Sequence, residues 1–147
     1  MADEVPSYLD LDRENHPAVL AGRRSRDAVQ ARDKQAWLAN FAADAVVEDP
    51  VGPSMFDEEG VGHRGVEGLS AFWDKTIGTT EKLDFVFDKE IICGNEVAYV
   101  GKIVTHIAGH ISEANGVFTY KADSNGDLVA LRAFWEVGET VSSLRPA

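Results

Sequence analysis

Two adjacent carboxylates, Glu48 and Asp49, end an apolar run, and Pro50, Val51 and Gly52 follow directly. Val46 and Val47, just before them, carry the β-branched side chains of a strand. Neighbouring side chains in a strand point to opposite faces, so one carboxylate of the pair faces inward and the other faces solvent. A carboxylate held at the inner end of an apolar strand can take a proton from carbon and return it, because burial and neighbours set its pKa. Pro50 and Gly52 turn the backbone away, which equally suits Asp49 to capping a turn.

Other reactive residues converge less. His106 and His110 are four apart, a separation along a strand too long to chelate one ion. His63 lies near Asp57, Glu58 and Glu59, which have the look of a solvated charge run. Cys93 is the only cysteine, which excludes an intrachain disulfide and a thiolate metal cluster. The glycines around Val61 and Gly65 match no phosphate-binding pattern. No metal and no cofactor are expected.

The elements that must position Asp49 fit one domain. The chain has 147 residues, 44% of them hydrophobic and 27% charged, ordinary for a soluble globular protein. A net charge of −11 opposes nucleic acid and anionic membrane surfaces. Arg23, Arg24 and Arg26 form the densest basic cluster, and Asp27 follows at once. With no bilayer-spanning apolar stretch and no signal peptide at the N-terminus, a cytoplasmic location is expected.

Residues 1–15 form an acidic N-terminal extension, 16–140 the domain and 141–147 a C-terminal tail. His16-Pro17 opens a helix whose apolar stripe is Val19, Leu20, Ala28 and Val29. Asp33 begins a second, with Trp37, Leu38 and Phe41 on one face; a short strand at Val46 and Val47 then delivers Asp49. A loop from Pro53 to Arg64 carries Met55 and Phe56 and offers itself as a lid or as surface decoration. A third helix from Val66 to Ile77 buries Leu69, Phe72 and Trp73. Alternation at Leu83, Phe85 and Phe87 marks a half-buried strand, and Gly94-Asn95 and Asn125-Gly126 mark turns. Strands over Val97–Ile107, Val117–Asp123 and Leu128–Val137 complete an α+β domain: a curved, mostly antiparallel sheet around three helices and an apolar cavity.

Phe41 to Gly52 resembles the segment of bacterial ketosteroid isomerases that carries the catalytic aspartate, and Asp49 falls on that residue. Asp27–Phe41, Gly65–Trp73 and Gly126–Trp135 resemble neighbouring elements of the same family, within the wider SnoaL-like and nuclear transport factor 2-like domains. The resemblance implies a cone-shaped half-barrel and proton transfer that moves a double bond into conjugation with a ketone. An aspartate base works there with a tyrosine and a protonated aspartic acid that bind the enolate oxygen. Carried over by residue, the base is Asp49, whereas Ser25 stands at the tyrosine position and Phe118 at that of the protonated acid. Tyr120, two residues beyond Phe118, shares its face and is a replacement donor; Ser25 and Trp135 are others. Trp135, Phe118, Trp73, Phe72, Phe56, Met55 and Val51 are the expected substrate-binding residues.

The expected activity is steroid isomerisation by proton transfer through Asp49 on a 3-ketosteroid or similar apolar enone. The alternatives are a non-catalytic binding protein for a steroid or other hydrophobic small molecule, and a SnoaL-like cyclase. A homodimer through the sheet, with Thr105, Val117 and Thr119 on the exposed face, is implied by the resemblance alone.

Overall fold

The computed structural model describes residues 7–9 and 11–147. Much of the expected N-terminal extension lies outside them. Within it, Ser7–Leu9 form one 3₁₀ turn, and Arg13 Nη1 reaches Glu90 Oε1 at 3.2 Å.

Pro17 opens helix α1, Pro17–Gln30, and the His16 ring accepts the Ala18 N–H. Ala18, Ala21, Gly22, Ser25, Ala28 and Val29 recur every three or four residues, so they form one buried stripe. Asp33 caps the short α2, Lys34–Ala39, by accepting from the Ala36 N–H at 3.0 Å. β1 then runs Phe41–Glu48, longer than the expected valine pair. Phe41 therefore opens a strand instead of sharing a helical face with Trp37, although its ring still meets Trp37 edge-on at 4.7 Å. After the loop come β2, His63–Arg64, and α3, Gly65–Lys75, with Leu69, Phe72 and Trp73 inward. A 3₁₀ turn at Ile77–Thr79 leads into β3, Lys82–Cys93. β4 is Glu96–Ile107, β5 is His110–Ala122 and β6 is Leu128–Trp135.

The strands form one sheet in the order β2-β1-β6-β5-β4-β3. All neighbours are antiparallel except β1 and β6. The chain does not end in a simple tail. Val137–Ser142 form α4, and Arg145–Pro146 form β7 against the start of β5.

Register fixes which residues face the helices. β4 and β5 place Thr105 opposite Ser112, Ile103 opposite Ala114, Gly101 opposite Gly116, Tyr99 opposite Phe118 and Val97 opposite Tyr120. β6 continues the inner face with Trp135, Ala133 and Leu131. Thr105 is thus a concave-face residue, not part of an exposed face with Val117 and Thr119, because the pairing with Ser112 turns it inward. At the Gly101–Gly116 pair the backbones crowd together. A Cβ on Gly101 would lie 2.2 Å from the Val86 carbonyl oxygen, and one on Gly116 would lie 1.9 Å from that of Phe134. Beside this pair β3 carries a bulge between Phe87 and Lys89, which switches its alternation and turns Glu90 toward Tyr99.

Candidate active site

A cavity of about 310 Å³ opens between the concave face of the sheet, α1, α2 and α3. Its wall is mainly apolar, so the few polar groups on it act in a weakly screening environment. Such a volume suits a small organic ligand.

Asp49 enters this wall by strand alternation. Ala45 and Val47 are fully buried, and Asp49 continues their parity into the cavity. Glu48, with the opposite parity, accepts from Arg132 Nε at 3.0 Å in a partly exposed ion pair. One carboxylate of the pair is therefore inward and the other outward. Val51 N–H donates to the Ala133 carbonyl, which fastens the segment just beyond Asp49 to β6. The indole N–H of Trp135 donates to Asp49 Oδ1 at 2.6 Å. Burial pushes the Asp49 pKa above the ordinary carboxylate value, and the Trp135 hydrogen bond acts in the opposite direction. The balance is a carboxylate more basic than one in water, held by a single directed donor.

Trp135 has only one N–H, and Asp49 takes it. Trp135 therefore orients the base and is not free to donate to a ligand oxygen. Ser25, buried in the α1 stripe, accepts from Trp37 Nε1 at 3.2 Å while lining the cavity. A hydroxyl that accepts in this way keeps its own proton to give. Phe118 is buried at the position where a donor acid was sought, and it stacks on Phe87 with ring centres 5.4 Å apart. Tyr120 is buried and lines the cavity. Burial raises its pKa and the negative charge of Asp49 adds to the rise, whereas Arg26 acts against both. The phenol is thus held protonated, as a donor must be.

Phe72, Phe56 and Met55 also line the cavity. Trp73 and Val51, expected beside them, do not. Trp73 is spent in the core, 5.4 Å from the Trp37 ring, because α3 turns it towards α2. Val51 lies past the turn, where its backbone is tied to β6.

The loop bearing Met55 and Phe56 is organised by one of its own acids. Asp57 accepts from the N–H groups of Gly60 at 3.0 Å, Val61 at 3.3 Å and Gly62 at 2.8 Å. These bonds, that from Gly62 foremost, hold its pKa below the usual carboxylate value. Asp57 is accordingly a loop organiser, unlike its exposed neighbours Glu58 and Glu59. Across the mouth, Val141 and Leu144 of the C-terminal segment line the cavity while remaining about half exposed. Their apolar spacing of three was the available sequence signal for them. Trp37, legible as an apolar helix residue, gave no sign that its N–H would meet Ser25.

A model of the SnoaL-like domain matches residues 23–137. The chain belongs to the SnoaL-like family. It is 27% identical to a steroid Delta-isomerase from Nocardioides simplex over 120 residues, 80% of this chain and 89% of the other. The Delta 5-3-ketosteroid isomerase from Mycobacterium sp. superposes with a TM-score of 0.79 at 32% identity, covering 90% of this chain and 99% of that one. RV0760c from Mycobacterium tuberculosis, in complex with estradiol-17beta-hemisuccinate, has a TM-score of 0.79 at 32% identity over 85% of this chain and 98% of its own. The curved sheet and the cavity described above are thus those of a SnoaL-like domain with ketosteroid isomerases among its structural neighbours. No helix of the described residues is long and apolar enough to cross a membrane.

Proposed function

We propose that this SnoaL-like protein is a ketosteroid isomerase-like enzyme, in which Asp49 moves a proton within an apolar, steroid-like enone. The observation that carries the reading is an inward carboxylate in an apolar wall, tied to Trp135 at 2.6 Å and made more basic by burial. Asp49 takes a proton from the carbon alpha to the ketone, and the electron pair moves onto the carbonyl oxygen as a dienolate. The carboxylic acid so formed returns the proton at the gamma carbon, and the ketone reforms with its double bond conjugated. Tyr120 is the proposed donor to the dienolate oxygen, with Ser25 as a second. The relatives that act on or bind steroids support a hydrophobic small molecule as the partner.

Phe118 and Ser25, at the two positions where the resemblance places stronger donors, favour a second reading: a steroid-binding protein that does not turn its ligand over. The ultraviolet absorbance of the conjugated enone separates the two. Wild type and Asp49→Asn are each incubated with a beta,gamma-unsaturated 3-ketosteroid. Turnover in wild type alone upholds Asp49 as the base. No turnover in either, with saturable steroid binding in both, overturns the enzyme reading and leaves the binder.

A homodimer through the convex face is part of the same proposal. Val100, Val117 and Phe134 form one row across β4, β5 and β6, and Val100 and Phe134 are exposed. Sedimentation of wild type beside Val117→Lys tests it: a dimer becomes a monomer on substitution, and a monomeric wild type sinks the idea.

A further inference from the structure

Arg26 follows Ser25 on α1, yet it does not join Arg23 and Arg24 at the surface. Its guanidinium carbon lies 4.6 Å from the ring centre of Tyr99, 5.3 Å from that of Tyr120 and 5.5 Å from that of Phe87. Nη1 is buried and has no hydrogen-bond partner among the described residues. The close approach of α1 makes this possible. A Cβ on Gly22 would stand 3.0 Å from Tyr120 Cγ and 3.3 Å from Arg26 Nη1, so the ring and the guanidinium share the space over a glycine one turn earlier.

The nearby acid does not cancel this cation directly. Glu90, turned inward by the β3 bulge, accepts from the Tyr99 hydroxyl at 2.9 Å with one oxygen and pairs with Arg13 through the other. A guanidinium with a buried, unpartnered N–H and no carboxylate of its own is costly, and contact with aromatic faces offsets only part of that cost. The groups that sense the charge are the Tyr99 and Tyr120 phenols, and Tyr120 lines the cavity.

We propose that Arg26 is a positioning residue for the oxyanion end of the cavity: its guanidinium, packed against Tyr99, Tyr120 and Phe87, supplies the positive potential that lets the Tyr120 hydroxyl share the negative charge of an enolate or phenolate oxygen on the ligand. This rests on the reading above, in which Tyr120 meets the ligand oxygen. It answers the loss of a donor at Phe118 with a charge placed behind the donor that remains. The ligands so favoured are enolisable ketones and phenols, whose oxygen gains charge, over alcohols, whose oxygen does not.

The probe is 2-naphthol, whose neutral and ionised forms absorb at different wavelengths. It is bound to an Asp49→Asn protein, so that no carboxylate opposes the anion. The pH at which bound naphthol ionises is then compared across added substitutions. Arg26→Gln is expected to raise that pH by about one unit, a roughly tenfold loss of preference for naphtholate. Arg26→Lys, which keeps the charge, is expected to restore most of the preference. In a Tyr120→Phe background the further change Arg26→Gln should do nothing, because the phenol that relays the charge is gone.

Thermal unfolding checks that each variant folds, and Arg26→Met fills the same slot should Gln fail. The same ionisation pH with and without the guanidinium would overturn the proposal and leave Arg26 as packing. Failure of steroid turnover alongside an Arg26-dependent naphthol shift would remove the isomerase reading and keep this one. Failure of naphthol to bind the Asp49→Asn protein at all would overturn this proposal, while steroid turnover by wild type would still uphold the isomerase reading.

Discussion

The Gly101–Gly116 pair divides the concave face into two unlike halves. On one side Val97, Tyr99, Phe118 and Tyr120 are all 5% exposed or less, and α1 packs on Val97, Tyr99 and Tyr120. On the other side Leu83, Phe85, Ile103, Thr105 and Ser112 remain partly accessible and line the cavity. β4 and β5 run through both halves in unbroken register, while β3 bulges at the boundary; the larger difference lies in what covers them. α1 lays a stripe of small residues directly onto the first half. The second is bounded at its rim by Ile77, Val141 and Leu144, which leave its centre open. The filled half holds Tyr120 and Arg26 in fixed geometry, and the open half supplies the volume. Asp49, held by Trp135 opposite Gly116, stands where the two meet.

If that division governs function, the largest effects come from the boundary. Asp49→Asn should lower isomerisation of a beta,gamma-unsaturated 3-ketosteroid by about 10³-fold, in the range expected for loss of a general base. Equilibrium steroid affinity should change little, because the amide keeps the shape. Next is Tyr120→Phe, expected to lower kcat by about 10²-fold with KM nearly unchanged, as for loss of one oxyanion donor. Ser25→Ala should cost less than Tyr120→Phe in the same assay. The reverse order would move the oxyanion end to the Ser25–Trp37 pair and make Arg26 a bystander.

The alternation that sends one of Glu48 and Asp49 inward was legible in the sequence, and the family resemblance named Asp49. So were Val19, Ala28 and Val29 of the α1 stripe, though not Leu20, which is only partly buried, and the shared face of Tyr120 and Phe118, because each depends on short-range periodicity. What escaped depends on register and on who claims a donor. Thr105 could be assigned a face only once its partner across the sheet was known to be Ser112. Trp135 looked like a donor to the ligand until its N–H was found on Asp49. Arg26 carried no periodic signal, since an arginine beside an apolar stripe ordinarily extends to water. The C-terminal helix was missed because six residues with one glycine make a weak pattern.

Stability separates the halves more modestly. Leu128 is fully buried in the cluster under α1, and Leu128→Ala should lower the free energy of unfolding by about 3 kcal/mol, because the packed surroundings cannot close over the void. Ile103 already faces the cavity, so Ile103→Ala removes fewer contacts and should cost about 1 kcal/mol. Urea unfolding of the two variants measures both. Equal losses would mean that the cavity collapses or is filled in solution.

The smallest effect concerns Asp49 itself, and its sign follows from burial. Its pKa in the folded protein lies above that of the unfolded chain, so the folded state binds its proton more tightly. Stability contributed by this residue is therefore full below the unfolded pKa and is lost as pH rises through the folded one. Above the folded-state value the ionised carboxylate opposes folding, with the Trp135 hydrogen bond offsetting part of that opposition. Asp49→Asn removes the charge and should raise the midpoint of thermal unfolding at pH 7 but not at pH 3, where Asp49 is protonated in both states. In wild type, kcat/KM should rise with pH through the same folded-state pKa, because only the carboxylate accepts a proton. A variant that gains stability at pH 7 while losing turnover would show the base and the destabilising charge to be one group. If the gain appeared equally at pH 3, it would belong to packing around residue 49 and not to its ionisation.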